Sequence, residues 1–172
     1  GLTGNGSWVG PIISHPTAPE IFFTARQQVF KTTTWGVIWI PISSGTSGVI
    51  REMAISRSDP NTLYATSGAA IYKSTDGGGT FFKAMNGIPT GPNFYDGTTD
   101  RTQFISPFSM DPNNSNTIVA GTYRVWKTTD GAANWTAVSG DLTGDGTGGT
   151  GATISTVIVA KGNSSVIYAG CS

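Results

Sequence analysis

The sequence predicts an all-β fold built from repeated four-stranded antiparallel units, and three observations carry that reading. Strong helix formers are nearly missing: the 172 residues hold three Leu, two Glu and five Lys, against 24 Gly and 9 Pro. That count excludes a helical bundle or a coiled coil. What remains is Gly, Thr, Ser, Asn, Val, Ile and aromatics, which suit short strands joined by tight turns. The third observation is an internal repeat. Lys31–Trp39, Lys73–Phe81 and Lys127–Trp135 each run from a lysine through a hydroxyl residue and a turn to an aromatic. The spacing between the lysines is 42 and then 54 residues. A period near 42 with four short strands is the arithmetic of a β-propeller blade.

Each element follows from its place in the repeat. Upstream of the lysines lie Ile21–Ala25, Thr62–Thr66 and Thr117–Gly121, with a fourth copy at Val166–Gly170. Further upstream, Pro16, Asp59-Pro60 and Asp111-Pro112 mark turns. The blades are expected at about 8–42, 49–86 and 103–139, followed by a half blade at 153–170. In the second blade the strands are expected at Val49–Ile55, Thr62–Thr66, Ala70–Lys73 and Phe81–Met85. The extra dozen residues of the longer period fall in Thr90–Gln103, a loop insertion. Its Asn93, Phe94, Tyr95, Asp96, Asp100 and Arg101 add aromatics and charge, and they form the best candidate ligand loop. The 172 residues are expected to hold three and a half blades. They are expected to close a propeller only with further blades, from the same polypeptide or a neighbouring chain.

Composition removes several functions. Ten basic residues balance ten acidic ones and charged residues make up 12%, so a polybasic nucleic-acid surface is not expected. The single histidine, His15, and single cysteine, Cys171, cannot supply a zinc site or an internal disulfide. No apolar run reaches the length of a membrane span, and the start at Gly1 shows no basic region and apolar core of a leader. Asp141 and Asp145, in a glycine-rich loop, are the only residues that suggest calcium, and two carboxylates are few for it. No other cofactor and no metal is expected. Asn-x-Ser/Thr sequons at Asn5, Asn113, Asn134 and Asn163 are frequent by chance in so Ser/Thr/Asn-rich a chain.

The segment Ser74, Asp76, Gly78, Thr80, Phe81 resembles the Asp-box, or BNR, pattern Ser-x-Asp-x-Gly-x-Thr-Trp, with Phe for Trp. Thr128, Asp130 and Trp135 form a looser copy, and in Thr32–Trp39 Thr34 stands where the Asp belongs. The chain is thereby similar to Asp-box propellers: xyloglucan-active glycosidases, sortilin-type receptors and photosystem-assembly propellers. Sialidases share the box more sparsely. An Asp opening such a turn accepts bonds from its N–H groups, so Asp76 and Asp130 are read as structural. Asp76→Ala is expected to destabilise more than Asp130→Ala, because its box is nearer the pattern. Glycoside hydrolysis needs two carboxylates across the scissile bond. The resemblance to xyloglucan-active enzymes puts an acid just after a strand matching Phe23–Arg26, where this chain has Gln27 and Gln28. Glu20 lies in a turn, and the inner-strand pair Arg51-Glu52 is read as an ion pair near the strand start, with lining of the central channel as the alternative. The five arginines do not recur at one blade position, so a sialidase triad is not expected. The function expected is a non-catalytic, secreted or cell-surface propeller that binds a polysaccharide or protein, or assembles. The alternatives are part of a xyloglucanase-like glycosidase, or an assembly factor for a membrane complex.

Overall fold

A computed structural model describes residues 10–46, 48–89, 100, 102–103, 105–144 and 152–172. The chain divides into two compact units, Gly1–Lys83 and Ala84–Ser172. Unit 1 holds β1 (Ile12–Ser14), β2 (Phe22–Ala25), β3 (Val29–Thr32) and β4 (Ile40–Pro41), then β5 (Ile50–Ile55), β6 (Leu63–Ser67), β7 (Ala70–Ser74) and β8 (Phe82–Lys83). Unit 2 holds β9 (Phe108–Asp111), β10 (Asn114–Gly121), β11 (Val125–Thr128) and β12 (Thr136–Ala137), then β13 (Ile154–Ala160) and β14 (Asn163–Cys171). They form three four-stranded sheets, β1–β4, β5–β8 and β9–β12, and the two-stranded pair β13–β14. Every strand pairs antiparallel with its neighbour in the chain.

Burial explains the composition of each strand. The second strand of the middle sheet is covered on both faces: all five residues of β6 are buried. Such a strand reads as a continuous run of apolar and small residues rather than an alternating one. The last strands β4 and β8 are two residues long and exposed, a short edge that resists pairing with other chains. In unit 1 the core joins Phe23, Val29, Ile50, Leu63, Tyr72 and Phe81. In unit 2 it joins Val119, Val125, Ile154, Val157 and Val159.

The repeated lysine has a physical reason. Lys31 lies opposite Phe23, and Lys73 opposite Tyr64, in cross-strand pairs. Their ammonium groups sit 5.5 and 5.8 Å from the ring centroids, within the range of a cation–π contact. Lys127 faces Val119 instead, and its Nζ donates to the Ser164 carbonyl at 3.4 Å.

Candidate functional site

Three turns between third and fourth strands share one hydrogen-bond plan. In the second sheet the Ser74 hydroxyl donates to Asp76 Oδ1 at 2.7 Å and accepts from the Gly78 N–H at 3.0 Å. Asp76 Oδ1 also accepts the Thr80 N–H at 2.9 Å. In the third sheet Thr128 donates to Asp130 at 2.7 Å and accepts from the Ala132 N–H at 3.1 Å, and Asp130 accepts the Asn134 N–H at 3.0 Å. Asp130 takes a further bond, from Asn134 Nδ2 at 2.9 Å. The first sheet keeps the plan without a carboxylate. Thr32 Oγ1 accepts the Gly36 N–H at 3.1 Å and Thr34 Oγ1 accepts the Ile38 N–H at 2.9 Å.

The backbone sets the rest of the pattern. Two consecutive residues in each turn have positive φ: Trp35 and Gly36, Gly77 and Gly78, Gly131 and Ala132. Only the middle turn fills both places with glycine, which bears that conformation without cost. The first of each pair donates its N–H to an earlier carbonyl, those of Glu20 and Asn61 in turns and that of Asn116 in β10. Trp35 is left 66% exposed, its ring 6.4 Å from that of Phe22. The aromatic that closes the turn is buried in the second and third sheets, Phe81 and Trp135, and half-buried in the first, Trp39. Trp135 Nε1 donates to the Ala84 carbonyl at 2.9 Å.

The Asp76 and Asp130 carboxylates are thus consumed within their own turns. The Thr80 N–H, then the Ser74 hydroxyl, lowers the Asp76 pKa from 3.8 to about 2. The Asn134 N–H, the Thr128 hydroxyl and the Asn134 amide hold Asp130 lower still. Each carboxylate draws a further bond from the side chain four residues on, Thr80 for Asp76 and Asn134 for Asp130.

A backbone latch, which sequence reasoning missed, fastens these turns. The Phe81 N–H donates to the Ser44 carbonyl at 3.0 Å, and the Ser44 N–H to the Gly79 carbonyl at 2.8 Å. In unit 2 the Trp135 N–H donates to the Asn86 carbonyl at 2.8 Å. Gly45 and Gly87 follow these anchors at φ +85° and +100°, and each lies close against the carbonyl of the latched aromatic. The recurring Ser-Gly and Asn-Gly pairs were the available signal.

The turns between second and third strands hold the other candidates. Gln27 and Gln28 are exposed there. The corresponding turn of unit 2 holds Tyr123 and Arg124, with the Arg124 guanidinium 4.3 Å from the Tyr123 ring centroid. Asp100 is not an exposed ligand contact. It is 7% exposed, and its Oδ2 accepts Thr122 Oγ1 at 2.8 Å and Trp126 Nε1 at 2.7 Å. Arg124 Nε lies 3.3 Å from the same oxygen. A carboxylate with these partners anchors the turn from inside. Asn93, Phe94, Tyr95, Asp96 and Arg101 lie outside the described residues.

Three further carboxylates serve the chain locally. Asp59 caps its turn, accepting the Asn61 N–H at 3.2 Å and Thr62 Oγ1 at 2.7 Å. Asp111 accepts the Asn113 N–H at 2.8 Å, while Asn113 Nδ2 donates to the Lys161 carbonyl at 3.0 Å. Burial raises the Asp111 pKa, but bonds from Ser164 and Asn113 and the charge of Lys127 outweigh it, leaving it lowered. Asp141 Oδ1 accepts the Thr143 N–H and hydroxyl, both at 2.7 Å, and the Gly144 N–H at 3.2 Å. Its companion Asp145 lies outside the described residues. Among the described residues no group of three or more His, Cys, Asp or Glu is placed to hold a metal ion. Arg51 and Glu52 are half-buried on β5, each engaged within the protein.

Four-stranded antiparallel meanders in series match solved structures of one architecture. The chain has a β-propeller fold. An ancestral GH74 enzyme superposes with a TM-score of 0.70 over 97% of this propeller chain, at 15% identity. The GH74 xyloglucanase from Xanthomonas campestris gives 0.64 over 99%, at 17% identity. A chain of the COPII outer coat vertex on membranes gives 0.61 over 88%, at 11% identity. The propeller chain spans 22%, 28% and 40% of those three chains. At such identities the likeness is one of fold. No family model matches the sequence, and no curated protein does.

Proposed function

We propose that this chain is a non-catalytic propeller module of Asp-box type, working outside the cell in binding or assembly. The carrying observation is the spent state of six of its ten carboxylates. Asp76, Asp130, Asp59, Asp111, Asp141 and Asp100 each accept bonds from their own or a neighbouring turn. A general acid or nucleophile in glycoside hydrolysis must instead face the glycosidic bond across an open cleft. Gln27 and Gln28 stand exposed where the xyloglucanase resemblance places an acid. The free edge of β14 supports assembly. In each four-stranded sheet the second strand is paired on both sides, whereas β14 pairs with β13 alone among the described residues. Two further strands, from the same polypeptide or a neighbouring chain, fit that edge. The test is an assay of this chain on xyloglucan and mixed-linkage glucans, with no turnover expected. Turnover abolished by replacing one carboxylate outside the Asp76 and Asp130 turns overturns the reading.

A second reading has one observation in its favour. Two GH74 enzymes superpose on almost the whole chain. On that reading the chain is a segment of a larger glycosidase whose paired carboxylates come from other blades. Its mark is hydrolysis by a longer protein containing this chain, lost when carboxylates outside residues 1–172 are replaced.

A further inference from the structure

We propose that the open cleft at the ends of β1 and β5 binds an organic carboxylate with an apolar body, held by His15 and Arg57. The cleft has a volume of about 700 Å³, and Ile12, Ile13, Ile55, His15, Thr17 and Arg57 are among its lining residues. That volume is in the range of small-molecule sites, roughly 300–1,000 Å³.

His15 owes its orientation to the fold. The His15 N–H donates to the Ile21 carbonyl at 2.9 Å, as the Ser56 N–H donates to Thr62 in the second sheet. His15 therefore stands where Ser56 does. The Ser56 hydroxyl accepts the Asp59 N–H, three residues on, at 3.0 Å. His15 Nδ1 takes that duty, accepting the Ala18 N–H at 3.1 Å and the Thr17 N–H at 3.3 Å. An acceptor Nδ1 puts the neutral ring's proton on Nε2. A serine in that role ends at its own cap, whereas the imidazole carries a second donor beyond it. Among the described residues Nε2 has no partner.

Arg57 follows Ser56 in the neighbouring sheet, is exposed, and has no ion-pair or hydrogen-bond partner among the described residues. Among the described residues none that lines the cleft is a carboxylate. The site therefore offers an uncompensated guanidinium, an imidazole N–H and isoleucine walls. A guanidinium fork matches the two oxygens of a carboxylate. The isoleucine side chains favour an apolar body over a bare inorganic anion.

The test is an NMR titration of the full chain with benzoate, beside benzyl alcohol, glucuronate and inorganic phosphate. Benzoate is expected to shift the methyl signals of Ile12, Ile13 and Ile55 saturably. Binding at least tenfold weaker is expected for benzyl alcohol and for phosphate. Glucuronate separates two sources of the same carboxylate: binding comparable to benzoate indicates an acidic sugar, weaker binding a less polar acid. Arg57→Gln is expected to weaken benzoate at least tenfold, and Lys83→Gln, which removes an exposed charge elsewhere, to leave it unchanged. His15→Ser restores the capping residue of the second sheet, so the turn persists while the Nε2 donor is lost, and weaker binding is expected. Equal affinity for benzoate and benzyl alcohol, or full affinity in Arg57→Gln with the fold intact, overturns the proposal. None of these outcomes depends on whether the chain hydrolyses xyloglucan.

Discussion

Replacing Gly45 by alanine tests the latch between the first and second sheets. Two costs coincide at this glycine. Its φ of +85° disfavours any L side chain, at about 1 kcal/mol. A Cβ built there also falls inside the van der Waals shell of the Phe81 carbonyl oxygen and 3.2 Å from the carbonyl carbon. Both atoms are backbone, so neither can swing aside as a side chain does. Relief requires Ser44 to withdraw from Gly79 and Phe81, with which it makes two backbone hydrogen bonds. Each contributes about 1 kcal/mol net. The sum is about 3 kcal/mol, or roughly 6–12 °C in Tm for a chain of this length. Two other glycines separate the terms. Gly68 has a φ of +58° with open space where its Cβ would be, so Gly68→Ala is expected to cost about 1 kcal/mol. Gly140 has open space and no positive φ, so Gly140→Ala is expected to be neutral or to stabilise by up to about 1 kcal/mol. Urea unfolding followed by circular dichroism measures all three. If Gly45→Ala and Gly68→Ala lose the same stability, the latch adds nothing and the reasoning fails.

Three more outcomes are expected. Asp76→Ala and Asp130→Ala each lower Tm, since each carboxylate accepts a hydroxyl and an N–H of its own turn; an unchanged melting curve for either variant refutes this. Folded pKa values below the ordinary 3.8 mean that the stability from these carboxylates is complete above about pH 4. It is lost as pH falls through about 2 for Asp76 and lower for Asp130, so acid titrations of the two alanine variants should be flatter than wild type in that window. Trp35→Gly should be more stable than Trp35→Ala by about 1 kcal/mol, because both lose the Phe22 contact and only glycine escapes the strain of φ +56°; denaturant melts of the pair decide it.

The all-β meander was legible because composition and the recurring lysine, turn and aromatic all report hairpins formed close in sequence. The Ser74–Phe81 turn was legible for the same reason: its donors and acceptors lie within seven positions. Thr34 was read as a lost Asp, yet its hydroxyl still accepts the Ile38 N–H, because the turn needs an oxygen at that place rather than a charge. The latch at Ser44 and Asn86 was not legible, since it is made mainly by backbone groups and its trace is a Ser-Gly and an Asn-Gly pair, which also suit ordinary turns. Asp100 looked like part of a surface loop because its acceptor role depends on Thr122 and Trp126, 22 and 26 residues away. His15 was weighed as a lone zinc ligand; the matched Ser56 bond shows what its ring replaces.

Each strand's hydrogen-bond partner is the strand just before or after it, and this order has a kinetic consequence. The meander asks for no distant segment to arrive before a sheet can zip, so loop-closure entropy stays small within each blade. During synthesis the first sheet holds all four of its strands once Pro41 has emerged. The latch is the exception, since Ser44 must wait 35 residues for Gly79. A growing chain would therefore acquire sheets one after another, with each clasp set only when the next turn leaves the ribosome.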